Sequence, residues 1–204
     1  MKAVQLFNQW VDLGKDTGME INHAPSVLHM LNLIPKNILE SKFNFLDIGC
    51  GNGWVVKKMS SFQNCFSSVG LDGAEKMIEK AISKDSKSEY LVFDINNIHN
   101  YNQTFDIVFS MEVFYYLKNP KDTINYIFNN LLNKGGFFIL GIDHYLENKK
   151  SLSWPKDLNL DMHSYSMFQW QKMMQTAGFN NIALAQFGQK KDWQGTLILS
   201  GIKE

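Results

Sequence analysis

Three glycines stand at alternate positions, Gly49, Gly51 and Gly53, behind an acid at Asp47. Glycine serves where a chain turns tightly or lets a ligand approach its backbone. The stretch Phe43 to Trp54 runs from an apolar segment through these glycines into helix-compatible Val55 and Val56. It reads as strand, glycine turn, helix, and it predicts backbone N–H groups and a helix N-terminus aimed at a ligand. A dinucleotide fingerprint needs a third glycine where this chain has the bulky Trp54. An acid just before the turn suits a cationic ligand better than a pyrophosphate. Asp72, with Gly73 behind it, follows a second apolar run, Cys65 to Leu71. An acid about 20 residues beyond such a turn can accept both protons of a ribose diol.

The segment Leu46-Asp47-Ile48-Gly49-Cys50-Gly51-Asn52-Gly53 closely resembles the first motif of the class I S-adenosylmethionine-dependent methyltransferases. That ligand carries an ammonium and a sulfonium, so the acid suits it. The resemblance runs from about residue 43 to 202, and it implies S-adenosylmethionine as cofactor. It assigns Asp94 to the adenine amino group and the backbone N–H of Ile95 to a ring nitrogen. Phe105-Asp106-Ile107-Val108, with Glu112-Val113 behind, looks like the family's fourth motif. It places Ser110, Met111 and Glu112 at a strand's carboxyl end, where open α/β sheets bind ligands. The cofactor set expected is therefore Asp47, Gly49, Cys50, Gly51, Gly53, Asp72, Gly73, Asp94, Ile95, Ser110 and Met111.

The implied reaction is an in-line displacement at a sulfonium methyl. Holding donor and nucleophile in line supplies much of such catalysis. A thiol, amine or carboxylate acceptor attacks unaided, whereas a hydroxyl or carbon acid benefits from a base. His144, close behind the fifth strand, is the first candidate base, followed by Tyr115, Glu112 and His163. Phe114 and Leu117 are expected in the core, and Tyr115 or Tyr116 could anchor an acceptor. No His or Cys pair has ligand spacing with acids nearby, so no metal is expected.

The elements that must hold these groups follow from hydrophobic period. Strands alternate with helices, which implies a parallel sheet with crossover helices. Strands are expected at 43–48, 65–72, 89–93, 105–110 and 137–142, then an antiparallel pair at 179–187 and 192–202. The expected fold is α/β: a seven-stranded, mostly parallel sheet flanked by helices with its last strand antiparallel. Residues 1–42 should form a helical flap beside the glycine turn, with helices over about 1–14 and from about Pro25. Residues 143–163 read as an insertion on the substrate side of a single 1–204 domain.

Composition narrows the partners. Formal net charge is zero, and all 20 basic residues are lysines. Without arginine the chain lacks the planar fork that reads guanine and grips phosphate, which argues against a nucleic-acid substrate. The chain has two cysteines, Cys50 and Cys65. They make neither a disulfide scaffold nor a zinc site, so a cytoplasmic setting is expected. No run approaches a membrane span. A small-molecule acceptor is the first expectation. A protein or carrier acceptor and a non-catalytic cofactor-binding module are the alternatives. Oligomeric state is not legible.

Overall fold

A computed structural model describes residues 2–204. Three helices, α1 (Ala3–Asp12), α2 (Lys15–Asn32) and α3 (Lys36–Leu39), precede the sheet. Strand β1 (Phe43–Ile48) leads through the glycine turn into α4 (Trp54–Ser60), β2 (Cys65–Asp72), α5 (Glu75–Lys84) and β3 (Glu89–Val92). Strand β4 (Phe105–Met111), α6 (Pro120–Tyr126) and β5 (Leu132–Ile142) complete the parallel part. The chain closes through α7 (Trp154–Leu158), α8 (Met167–Ala177), β6 (Asn180–Phe187) and β7 (Thr196–Ile202).

The seven strands lie in the order β3-β2-β1-β4-β5-β7-β6, and β7 runs antiparallel to both its neighbours. Strand order reverses between β1 and β4, which opens a crevice at their carboxyl ends. Two apolar cores cover the two faces of the sheet. One packs Leu46, Val108, Leu140, Ile124 and Trp170 together; the other packs Phe45, Phe109, Ile139, Val56 and Met30. Near-continuous apolar strands suit a sheet buried on both sides. Phe114 and Leu117 lie in the first core, as expected.

Three boundaries differ by several residues from the sequence reading. Helix α2 begins at Lys15, well ahead of Pro25, and carries Pro25 inside it. Gly14, at φ 66°, lets the chain turn and restart a helix at once. The polar residues of its first half pack against α5, so a segment that reads as a loop is a docked helix. Strand β5 begins at Leu132 rather than Phe137, because Gly135 donates its N–H to the Lys203 carbonyl and Gly136 accepts from Lys203. The helix before it ends in a π-helical turn, Ile127–Leu131. Strand β7 starts at Thr196, later than Asp192.

Candidate active site

The carboxyl ends of β1, β2 and β4 open into a cavity of about 1010 Å³. Its floor is the glycine turn, where Gly49, Gly51 and Gly53 all have φ between 53° and 78°. At Gly49 a Cβ would lie 2.1 Å from Val113 Cγ2, so only glycine lets the segment after β4 pass. At Gly51 a Cβ would meet nothing within 4 Å. Gly53 instead packs against Ala81 and Tyr90, behind the cavity wall.

The turn does not present its N–H groups to a ligand. Gly49 and Cys50 both donate to the Leu71 carbonyl, at 2.7 and 3.0 Å. Gly51 donates to Asp72 Oδ2 at 2.9 Å. These three N–H groups are used within the fold, which corrects the expectation that the turn aims them at a ligand. What faces the cavity is acidic. Asp47 and Asp72 both line it. Burial, then the Asp72 charge, lifts the Asp47 carboxyl well above its ordinary range. Burial also raises Asp72, opposed by the N–H groups of Ala74 and Gly51. The Cys50 thiol is pushed up by burial and both acids, so it stays protonated and inert.

Asn52 adds an unpaired acceptor. Its Nδ2 donates to Asp16 and Glu20 of α2, while Oδ1 is buried without a partner among the described residues. Gly73, Ile95 and Met111 also line the cavity. Asp94 does so too, but its oxygens cap the following turn, accepting from Asn96 and Asn97. Ser110 does not reach the cavity: its hydroxyl donates to the Ile48 carbonyl at 2.7 Å and ties β4 to β1.

The same cavity holds a second group after β4. Glu112 sits in the left-handed region, φ 63°, an unusual place for a non-glycine residue. Its carboxylate accepts from the Tyr115 hydroxyl at 2.7 Å and from the Asp143 N–H. Burial, then the Asp143 charge, raises it well above the carboxylate range. His23 of α2 faces it across the cavity and has its pKa lowered by burial, with Asp143 acting against that. Ligand atoms of His23, Glu112 and Asp143 lie within 4.8 Å of one another. His23 escapes the sequence reading because it lies in a polar stretch ahead of Pro25 that reads as a loop, and Asp143 because nothing local separates it from any other acid that follows a strand.

His144 is placed elsewhere. It is fully buried, and Nδ1 lies 2.9 Å from the Ser151 carbonyl, so Nδ1 carries the proton. Nε2 then accepts from the Ser164 hydroxyl at 2.8 Å. Burial lowers its pKa, the ring stacks on Trp154, and no part of it lines the cavity. Both nitrogens are occupied, which corrects its choice as a base. His163 lines the cavity and donates Nε2–H to the Lys118 carbonyl.

A family model described as a methyltransferase domain matches residues 9–184. This chain belongs to the methyltransferase family. It is 31% identical over 143 residues to malonyl-[acyl-carrier protein] O-methyltransferase 2 of Ilyobacter polytropus, covering 66% of this chain and 54% of that protein. It is 32% identical over 101 residues to the tRNA U34 carboxymethyltransferase of Glaesserella parasuis, 47% of this chain and 31% of that one. Among solved structures, a putative methyltransferase in complex with the Haloferax volcanii Trm112 methyltransferase activator superposes with a TM-score of 0.82. It is 25% identical and 96% of each chain is covered. The chain spans about half the length, or less, of these curated relatives.

The residues of this methyltransferase-family chain fit S-adenosylmethionine. A buried acid, Asp47, and a half-buried one, Asp72, line a site suited to a ligand with two cationic centres, and the buried Asn52 Oδ1 can accept from it. Helices α1 and α2, which help line the cavity, are held to α5 by a ladder of ion pairs. Helix α5 presents Lys76, Lys80 and Lys84 one turn apart, and α1 and α2 answer with Asp12, Asp16 and Glu20 at 2.6, 2.6 and 3.2 Å. From α1, Phe7 packs edge-on against Tyr116 at 5.6 Å.

Proposed function

We propose that this domain transfers a methyl group from S-adenosylmethionine to a small acceptor that enters the far half of the cavity. The observation that carries the reading is one continuous cavity lined by Asp47 and Asp72 and also by Glu112, Tyr115 and His163. At about 1010 Å³ it reaches the upper end of the roughly 300–1,000 Å³ typical of small-molecule sites. It therefore has room for a second molecule beside a nucleoside.

In this reading Asp72 takes the ribose diol. Asp47 and the open face at Gly51 take the cationic end of the ligand, with Asn52 Oδ1 accepting from its ammonium. Ile95 and Met111 flank the base. Bound there, S-adenosylmethionine supplies an electrophilic methyl on a sulfonium. The protein's own contribution is to hold the acceptor in line with that methyl and to keep water out. Phe7, Trp10 and Tyr116 pack edge to face along one side of the cavity and supply its aromatic wall. Tyr115 and Glu112 form a hydrogen-bonded pair at the acceptor end and can hold or take a proton there. His144 positions the segment after β5 and does not touch the acceptor.

Carrier-bound and tRNA acceptors, named for two relatives, need a surface on which a macromolecule can dock. A cavity wall of α1 and α2 stapled to α5 favours a small one. Parallel calorimetric titrations with S-adenosylmethionine, S-adenosylhomocysteine and NAD test the cofactor. Binding of the first two alone is expected, and binding of NAD alone would overturn the reading. Labelled methyl transfer to small hydroxyl, amine and thiol acceptors then tests the acceptor class. Transfer only to carrier protein or tRNA would reject the small acceptor while keeping the cofactor.

A further inference from the structure

We propose that His23, Glu112 and Asp143 form a three-ligand site for one first-row divalent metal ion, Mn2+ or Zn2+, at the acceptor end of the cavity. One imidazole and two carboxylates converge from α2, the end of β4 and the end of β5. Mixed nitrogen and oxygen donors without a thiolate suit these ions. Three protein ligands with a face open to the cavity is the arrangement of a metal site that takes a further ligand. His23 and Glu112 both line the cavity, which gives the ion its entry path.

The second observation is the state of Asp143. Its side chain is only 7% exposed, yet Oδ1 has no hydrogen-bond partner among the described residues. No lysine pairs with Glu112 or Asp143 among the described residues. His23 makes no direct hydrogen bond or ion pair to either acid there. The three groups stand apart, within 4.8 Å. Bonds of about 2.0–2.2 Å to a common ion would close that gap by modest side-chain rotation.

The surroundings hold both carboxylates the way metal ligands are held. Carboxylates that bind an ion are themselves fixed by hydrogen bonds behind them. Glu112 accepts from the Tyr115 hydroxyl and the Asp143 N–H. Thr196 of β7 stands beside the Asp143 carboxylate. Its hydroxyl shares a hydrogen bond with that of Ser26 of α2, at 2.7 Å. The Asp143 carbonyl is fixed by Asn148 Nδ2 at 2.8 Å. The left-handed backbone at Glu112 is a strained geometry that aims its side chain into the cluster. An ion here would hold a hydroxyl of the acceptor and lower its pKa, a clause that rests on the methyl-transfer reading.

The test is titration of the full chain, after dialysis against a chelator, with Mn2+, Zn2+ and Mg2+ by calorimetry, and with Mn2+ by paramagnetic resonance. One Mn2+ or Zn2+ per chain is expected, with Mg2+ weaker. His23→Ala and Asp143→Asn should each weaken binding at least 100-fold, and Thr196→Val about 10- to 100-fold. Circular dichroism and an S-adenosylhomocysteine titration on every variant establish that it is folded. No saturable uptake, or uptake unchanged in folded His23→Ala and Asp143→Asn, would overturn the site. Wild-type protein that binds S-adenosylhomocysteine but no metal rejects the metal site alone. Protein that binds metal but neither S-adenosyl ligand rejects the methyl-transfer reading alone.

Discussion

Replacing Lys80 with alanine should loosen the N-terminal helices far more than replacing Lys76. The two lysines occupy equivalent rungs of the α5 ladder, but their partners differ in exposure. Asp16 is 1% exposed; its Oδ1 accepts from Lys80 Nζ at 2.7 Å, and its Oδ2 lies 2.6 Å from the same Nζ and accepts from Asn52 Nδ2 at 3.1 Å. Asp12 is 55% exposed, as is nearly half of Lys76. An exposed pair contributes about 0–1 kcal/mol. A charged hydrogen bond to a desolvated carboxylate contributes about 1.5–3 kcal/mol. Lys80→Ala should therefore lose roughly 2 kcal/mol, against about 0.5 for Lys76→Ala. Urea unfolding measures the global loss, and amide exchange along α2 shows whether it appears first as local opening. Asp16 also sets the pH dependence. Burial raises its pKa, but hydrogen bonds from Lys80 and Asn52 outweigh that and hold it below its ordinary 3.8. A lowered acid stabilises fully above its unfolded value and loses that contribution as pH falls through the folded one. The gap between wild type and Lys80→Ala should be constant above 3.8 and shrink below it. Equal losses for the two lysine variants, or a gap that widens in acid, would refute the reasoning.

Asp72→Ala should weaken S-adenosylhomocysteine at least tenfold in a calorimetric titration, since charged hydrogen bonds of about 1.5–3 kcal/mol disappear. An unchanged affinity in folded protein would remove Asp72 from the site. Asp47→Asn should raise the melting temperature of the ligand-free protein at pH 7. Burial and Asp72 raise the Asp47 pKa, so its ionisation destabilises the fold increasingly as pH climbs above the unfolded value, 3.8. Melts at pH 4 and 7 should show the gain shrinking in acid, while cofactor affinity falls. His144→Gln should lower stability by about 1–3 kcal/mol through its two buried hydrogen bonds. It should leave S-adenosylhomocysteine affinity within about twofold of the wild type; a tenfold loss of binding in a folded variant would contradict the structural role of His144.

The glycine turn, Asp47 and Asp72 were legible in the sequence because their chemistry is local. A turn that needs positive φ declares itself by glycine, and an acid at a set distance behind it lands at the next strand's end. The alternation of apolar runs likewise sufficed for the sheet and its antiparallel close, since periodicity reports which face is buried. Three things needed the tertiary structure. Whether the turn's N–H groups face a ligand depended on the Leu71 carbonyl and Asp72, which β2 brings alongside. His144 and His23 could not be ranked by position, because a histidine's role is fixed by what its two nitrogens meet. His144 meets Ser151 and Ser164, and His23 faces two acids. The polar start of α2 read as a loop because its partners lie on α5, far away in the chain. Local sequence sets what a residue can do, and long-range packing sets which neighbours it does it with.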